Sequence, residues 1–277
     1  SAQILKPIAE WKFDGDAKDG IGGLDCALVG GARIRNGALV LDGATFARSA
    51  PLKRDLREKT LEAWVQLDTL SQRGAGVMTV QTRDGVTFDS IVFGEKEPEQ
   101  WLAGSNNFRR TESFGGEREA EPVQEPVHIA IVYRGDGTIV GYRNGRRYGD
   151  GYKSSGLQAF KADEAEVVFG LRHGTSGGGN RMLKGRILEA RLYDRPLTGE
   201  EIAAAANNDA DFISEADLLA ALPQERRNQW KQNKQEIAKA NAVLAANRAA
   251  WPSAGKDQTW ADLALAIFNM KEFIYVR

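Results

Sequence analysis

A chain of 277 residues can bury one large core and a smaller appendage. Its hydrophobic share of 42% and charged share of 27% are those of a globular protein, which excludes wholesale disorder. Its 37 basic and 38 acidic residues leave a net charge of −1, so no field of one sign attracts nucleic acid, and no apolar run reaches the ~20 residues needed for membrane insertion.

Up to about Leu197 the chain reads as short strands and tight turns. Glu10 to Phe13 is predicted as a first strand, closed by Asp14-Gly15-Asp16. Ala38 to Leu41 is a second, running into Asp42-Gly43. Thr60 to Leu67 alternates, with Leu61, Ala63, Val65 and Leu67 on one face and Glu62, Trp64 and Gln66 on the other. Val77 to Gln81 and Val86 to Phe93 are neighbouring strands around Asp84-Gly85. His128 to Tyr133 is nearly all apolar, as expected of a strand buried on both faces. Thr138 to Tyr142 is followed by Asn144-Gly145, which favours a type I′ hairpin because both residues tolerate positive φ. Glu166 to Leu171 and Arg186 to Tyr193 complete the set. With no helix between them, these strands predict a two-sheet antiparallel sandwich over residues 1–205.

From residue 206 to 277 the pattern is helical. The change begins just before, where Thr198 and Glu201 form a capping-box pair for a helix over Glu200 to Ala206. Glu215 to Leu222 is a second, stopped by Pro223. Residues 224–250 hold a long helix without glycine or proline, roughly 40 Å in length. Trp230, Ile237, Leu244 and Trp251 recur along it at seven-residue spacing, but Lys234, Asn241 and Arg248 keep the stripe narrow. It lies on its own sandwich or docks on another chain or domain. Residues 259–275 form a terminal helix, apolar round most of its circumference through Trp260, Leu263, Ile267, Phe268, Met270 and Phe273. Such a helix expects cover on most sides, so an interface with another domain or a second copy is expected here.

Several stretches resemble the laminin-G-like, concanavalin A-like lectin/glucanase superfamily. They are Trp11-Lys12-Phe13-Asp14-Gly15, Gly37 to Gly43, Thr60-Leu61-Glu62-Ala63-Trp64-Val65, Val127 to Tyr133 with Tyr142-Arg143-Asn144-Gly145, and Gly185 to Ile202. Five pieces in the right order over about 190 residues make the resemblance strong, although Val127 stands where members often carry tryptophan. The resemblance implies a mainly β, jelly-roll sandwich. The tail from Trp260 to Phe273 is similar to the end of large secreted bacterial proteins, which combine a cytochrome-c-like domain, helical domains of unknown function and a laminin-G-like domain. That implies one portion of a longer exported polypeptide, periplasmic, cell-surface or secreted. The haem motif Cys-x-x-Cys-His is absent.

Catalysis has little to work with. The superfamily includes glucanases, yet Glu117, Glu119 and Glu121 sit in a Gly-, Arg- and Pro-containing stretch with no apolar anchors, and the family's central aspartate is missing. They read as a solvated loop, so a glycoside hydrolase is the least favoured function. Cys26, the lone cysteine, reads as a small buried hydrophobe, and excludes an intrachain disulfide. His128 reads as a hydrogen-bonded core residue, and His173 lies freer in a Gly-rich loop. Two histidines and one cysteine cannot assemble a common zinc site. Calcium is the expected metal if any. Asp14, Asp16 and Asp19 crowd one turn, Asp42 and Asp194 end strands, and the family resemblance implies one structural Ca²⁺; ordinary turn aspartates are the alternative. A sugar site needs aromatic and planar polar side chains on loops. Candidates are Trp101, Asn106, Asn107, Phe108 and Arg109 in one loop and Arg172, His173, Asn180 and Arg181 in another, with Trp64 as a helper. The expected function is a non-catalytic carbohydrate-binding or adhesive module with a polysaccharide partner. The alternative is a domain–domain interaction module without a sugar site.

Overall fold

The computed structural model describes residues 5–120, 125–208 and 215–250. Fifteen strands are present among them. In chain order they are β1 Ala9–Trp11, β2 Cys26–Val29, β3 Arg33–Ile34, β4 Leu39–Asp42, β5 Phe46–Pro51, β6 Lys59–Leu67, β7 Ala75–Thr82 and β8 Phe88–Phe93. There follow β9 Trp101–Ser105, β10 Val127–Tyr133, β11 Thr138–Arg143, β12 Arg146–Arg147, β13 Tyr152–Lys153, β14 Ala165–Phe169 and β15 Lys184–Tyr193. One sheet runs β12-β11-β10-β6-β15-β4-β3, with β1 on β15 and β13 on β11. The other runs β2-β5-β14-β7-β8-β9. Every pairing is antiparallel. The architecture is the mainly β, two-sheet jelly-roll sandwich expected from the sequence.

The core lies between the sheets. Leu61, Ala63, Val65 and Leu67 of β6 enter it from one side, and Met78, Val80, Ile91 and Phe93 from the other. Trp11 and Phe13 pack edge-on against Phe169, at centroid distances of 4.9 and 5.4 Å. Trp11 also donates its indole N–H to the Leu24 carbonyl at 2.9 Å. The continuous apolar run of β10 has a two-sided cause. Val127, Ile129, Ile131 and Tyr133 face the other sheet, while Ala130 and Val132 lie in a second cluster with Tyr193, Leu197 and Ile202.

Ile202 belongs to α1, Gly199–Ala206, whose predicted capping box is present in both halves. Thr198 accepts from the Glu201 N–H, and the Glu201 carboxylate accepts from the Thr198 N–H at 2.8 Å. Under this helix the polar face of β6 is closed as well. Glu62 is fully buried, bonded to His128 Nε2 at 2.7 Å and to the Tyr193 hydroxyl at 3.0 Å. The Asn144-Gly145 hairpin has φ of 49° and 75°, as type I′ requires.

The chain divides into two compact units, Ser1–Ser214 and Glu215–Arg277. The second unit holds α2, Glu215–Ala221, and α3, Gln224–Ala250, separated by Pro223 as predicted. Ile237, Val243 and Leu244 of α3 are exposed. Trp251 and the predicted helix over residues 259–275 lie outside the described residues.

Candidate functional site

The outer face of β7 and β8 is polar where its inner face is apolar. Thr79 and Gln81 on β7 and Phe88 and Ser90 on β8 are left out of the core by strand alternation. The loop after β14 folds back across them. Gln81 clamps it through both amide atoms: Nε2 donates to the Gly174 carbonyl and Oε1 accepts from the Gly174 N–H, each at 2.9 Å. Two glycines let the loop lie that close. A Cβ on Gly76 would stand 2.1 Å from the Arg172 Cα, and one on Gly85 would stand 2.3 Å from the Gly174 Cα.

This placement stacks the His173 ring on Phe88, with centroids 4.3 Å apart and planes 8° from parallel. Nδ1 lies 3.2 Å from the Gly85 carbonyl. A carbonyl only accepts, so Nδ1 carries the proton and Nε2 keeps a free lone pair. Burial, with Arg172 and Arg181 nearby, holds the imidazole pKa below its ordinary value of 6.5. The ring is therefore neutral at neutral pH. Arg172 pairs with Glu95, and Arg181 donates to the His173 carbonyl at 3.0 Å.

The opposite rim is a 3-10 turn, Asn106–Phe108, directly after β9. Asn107 and Phe108 both have positive φ, 51° and 54°. Asparagine tolerates this region, but for Phe108 it costs roughly 1–2 kcal/mol. The turn persists because Arg110 ties it to the interior. Arg110 donates to Asn106 Oδ1 and to Asp89 Oδ1, both at 2.9 Å, and its N–H reaches Ser105 Oγ at 2.9 Å. Asp89 in turn pairs with Lys59 at 2.8 Å, and both side chains are wholly buried. The Lys59 ammonium sits over the Tyr133 ring at 4.4 Å. Burial pushes its pKa down, with Asp89 opposing. This buried charge chain holds Phe108 half out of the surface, 49% exposed.

Between the loop and the rim lies a cavity of about 570 Å³. Two loops far apart in sequence thus meet, contributing Asn106, Asn107 and Phe108 from one and Arg172, His173 and Arg181 from the other. Trp101, Arg109 and Asn180 do not line it. Trp101 corrects the sequence reading. It lies in strand β9, not a loop, is 2% exposed, and donates to Glu119 Oε1 at 2.7 Å, so it offers no stacking face. Sequence reasoning missed Asp84, Val86 and Glu95 on the lining. Val86, an apolar residue directly after the Asp84-Gly85 turn, was the available signal.

Three other expectations change. Glu119 is not in a solvated loop: it is buried, and holds Arg143 bidentately at 2.7 and 2.8 Å as well as Trp101. Glu117 is exposed, and Glu121 lies outside the described residues. Cys26 is partly buried, and burial pushes its thiol pKa up, which keeps it protonated and unreactive. The aspartates do not fit a calcium centre. Asp19 spends its carboxylate on the N–H groups of Glu10, Ile21, Gly22 and Leu24, all at 2.9 Å. Asp16 accepts from the Lys18 N–H, Asp42 accepts from Ala44 and Thr45, and Asp194 pairs with Arg54. Asp14 is exposed. Among the described residues no three histidine, cysteine or acidic side chains gather as a metal would need. His128 is the bonded core residue expected, and its ring also meets half-buried Trp64 at 4.6 Å.

A family model described as the concanavalin A-like lectin/glucanases superfamily matches residues 41–203. No curated protein matches the chain. Among solved structures, domain 4 of a GH43 extracellular arabinanase from Geobacillus stearothermophilus, in complex with arabinotriose, is similar at 20% identity and a TM-score of 0.55. The match covers 74% of this chain and 100% of that domain. A Trypanosoma rangeli sialidase is similar at 16% identity and a TM-score of 0.51, over 72% of this chain but only 32% of the sialidase. A heptameric SAP-like pentraxin from Limulus polyphemus matches at 18% identity and a TM-score of 0.50, over 62% of this chain and 82% of its own. At these identities the likeness shows the fold alone.

Proposed function

The chain belongs to the concanavalin A-like lectin/glucanases superfamily, and on that premise we propose that the Phe108 cleft binds a neutral oligosaccharide without cleaving it. One observation carries the reading: a strained turn, tethered to buried charges, presents an aromatic ring beside a cavity rimmed by amide, imidazole and guanidinium groups. The ring supplies an apolar face for a sugar, and Asn106, Asn107 and the His173 lone pair supply directional hydrogen bonds. The two lining acids, Asp84 and Glu95, are matched by the two lining arginines, Arg172 and Arg181, so the cleft suits an uncharged ligand.

Binding is favoured over hydrolysis by the occupation of those acids. Asp84 accepts from the Thr82 hydroxyl and the Val86 N–H, which hold its pKa down; burial raises the pKa of Glu95, but its carboxylate is paired with Arg172. A glycosidase needs one carboxyl protonated and one free to attack or activate water. The arabinotriose seen with the Geobacillus domain makes arabino-oligosaccharides the first probes. In calorimetry, Phe108→Ala should weaken any glycan found by at least about tenfold. A folded wild type that binds nothing on a broad glycan array would end this reading. An exported location belongs to the same proposal.

A second reading, a domain–domain interaction module, is favoured by exposed Ile237, Val243 and Leu244 on α3. Those residues lie on a helix outside the sandwich unit, and the two readings are compatible.

A further inference from the structure

One wall of the Phe108 cleft is a histidine held in a single orientation. Phe88 lies under its ring, Nδ1 is turned to the Gly85 carbonyl, and Gln81 clamps the next residue through both main-chain atoms of Gly174. Nε2 has no hydrogen-bond partner among the described residues, and His173 lines the cavity. We propose that His173 makes the cleft acid-sensitive, so that a neutral glycan is held at neutral pH and let go as the imidazole takes up a proton. The inference rests on the glycan reading given above and adds the regulation of that site.

Two costs fall on a complex formed in acid. Protonated Nε2 no longer accepts, so a sugar hydroxyl donated to it must turn or leave. A half-buried cation would also be covered by an uncharged sugar, and covering a charge without a partner is unfavourable. A ligand that prefers the neutral ring must lose affinity as the ring is protonated, by linkage. Burial first, then Arg172 and Arg181, already set the free ring below 6.5. Affinity is therefore full above pH 6.5 and falls below it.

The surrounding charges do not offset this. Arg172 and Arg181, on the same loop, are cations. Glu95, after β8, is paired with Arg172. Asp84, on the β7–β8 turn, accepts from Thr82 and Val86 and makes no ion pair with His173. Further along the loop, Arg48 of β5 reaches the Thr175 carbonyl and pairs with Glu166 of β14 at 3.1 Å. Burial raises the pKa of Glu95, so its part must be separated by a variant.

The test is calorimetry on the full chain from pH 8 to 5 with arabinotriose, replaced by the best neutral binder of the glycan array if it gives no heat. Wild type should lose at least about threefold in affinity over that range. His173→Gln keeps an acceptor but does not titrate, so its affinity, whatever its level, should vary by less than about twofold. Glu95→Gln should retain the fall. The chain has only two histidines, and the other, His128, is buried beside Glu62 in the nine-stranded sheet. Ring NMR signals can thus be assigned with His173→Gln, and excess glycan should lower the His173 pKa. That wild-type titration decides the matter where His173→Gln binds too weakly to follow: an unmoved pKa overturns the inference. Affinity that is flat or rises in acid, a fall that persists in His173→Gln, or one lost in Glu95→Gln also overturns it and leaves the glycan reading standing. A folded chain that binds no glycan at any pH ends both.

Discussion

The two sheets bury their inner faces alike, but their outer faces are finished in opposite ways. On the nine-stranded sheet, α1 lays Ile202 over Ala130, Val132 and Tyr193, and even Glu62 is fully bonded beneath the surface. On the six-stranded sheet, an irregular loop rests on Thr79 and Gln81 through hydrogen bonds, leaving a cavity beside Phe108. A helix with an apolar side closes a surface. A glycine-rich loop on polar strands leaves room and unspent donors. On the proposed reading, the difference separates stability from recognition in one domain.

Ile202→Ala tests the closed face and should have the largest effect, costing about 2–5 kcal/mol by urea unfolding, because a fully buried side chain is truncated under a helix. A cost under about 1 kcal/mol would mean that α1 is not what closes that face. Phe108→Gly tests the open face with the opposite sign. Glycine accepts the φ of 54° without strain, so stability should hold or rise by up to about 1 kcal/mol while glycan binding is lost. Substantial destabilisation would show that the ring serves packing instead. The smallest effect is a pH slope from His173. Its folded pKa lies below the unfolded 6.5, so the unfolded chain takes up protons first as pH falls. The histidine's contribution is therefore intact above pH 6.5, declines below it, and levels off under the folded value. The difference in unfolding free energy between wild type and His173→Asn, followed from pH 8 to 5, should show that decline; a flat difference would contradict it.

Much of the scaffold was legible because its signals are local. Alternation along β6, the capping box at Thr198 and the Asn144-Gly145 turn each involve neighbours within a few residues, and each forms as expected. What escaped depends on distant partners. Trp101 looked like a surface aromatic because the residue that receives its N–H, Glu119, stood in a stretch without apolar anchors. Glu119 looked solvated because Arg143 lies 24 positions further on. The meeting of the two candidate loops rests on Gly76 and Gly85, whose close approaches are to Arg172 and Gly174, each about ninety positions away. Their lack of a side chain leaves no periodic trace.

The tether from Lys59 through Asp89 and Arg110 has a practical corollary. It fastens the backbone of the rim, not the ring that the rim displays. Exchanging Phe108 for tryptophan or tyrosine would remodel the contact surface while the anchorage stays intact, whereas any change at Asp89 disturbs the interior first. On the proposed reading, ligand preference here is open to redesign from the outside, one aromatic at a time.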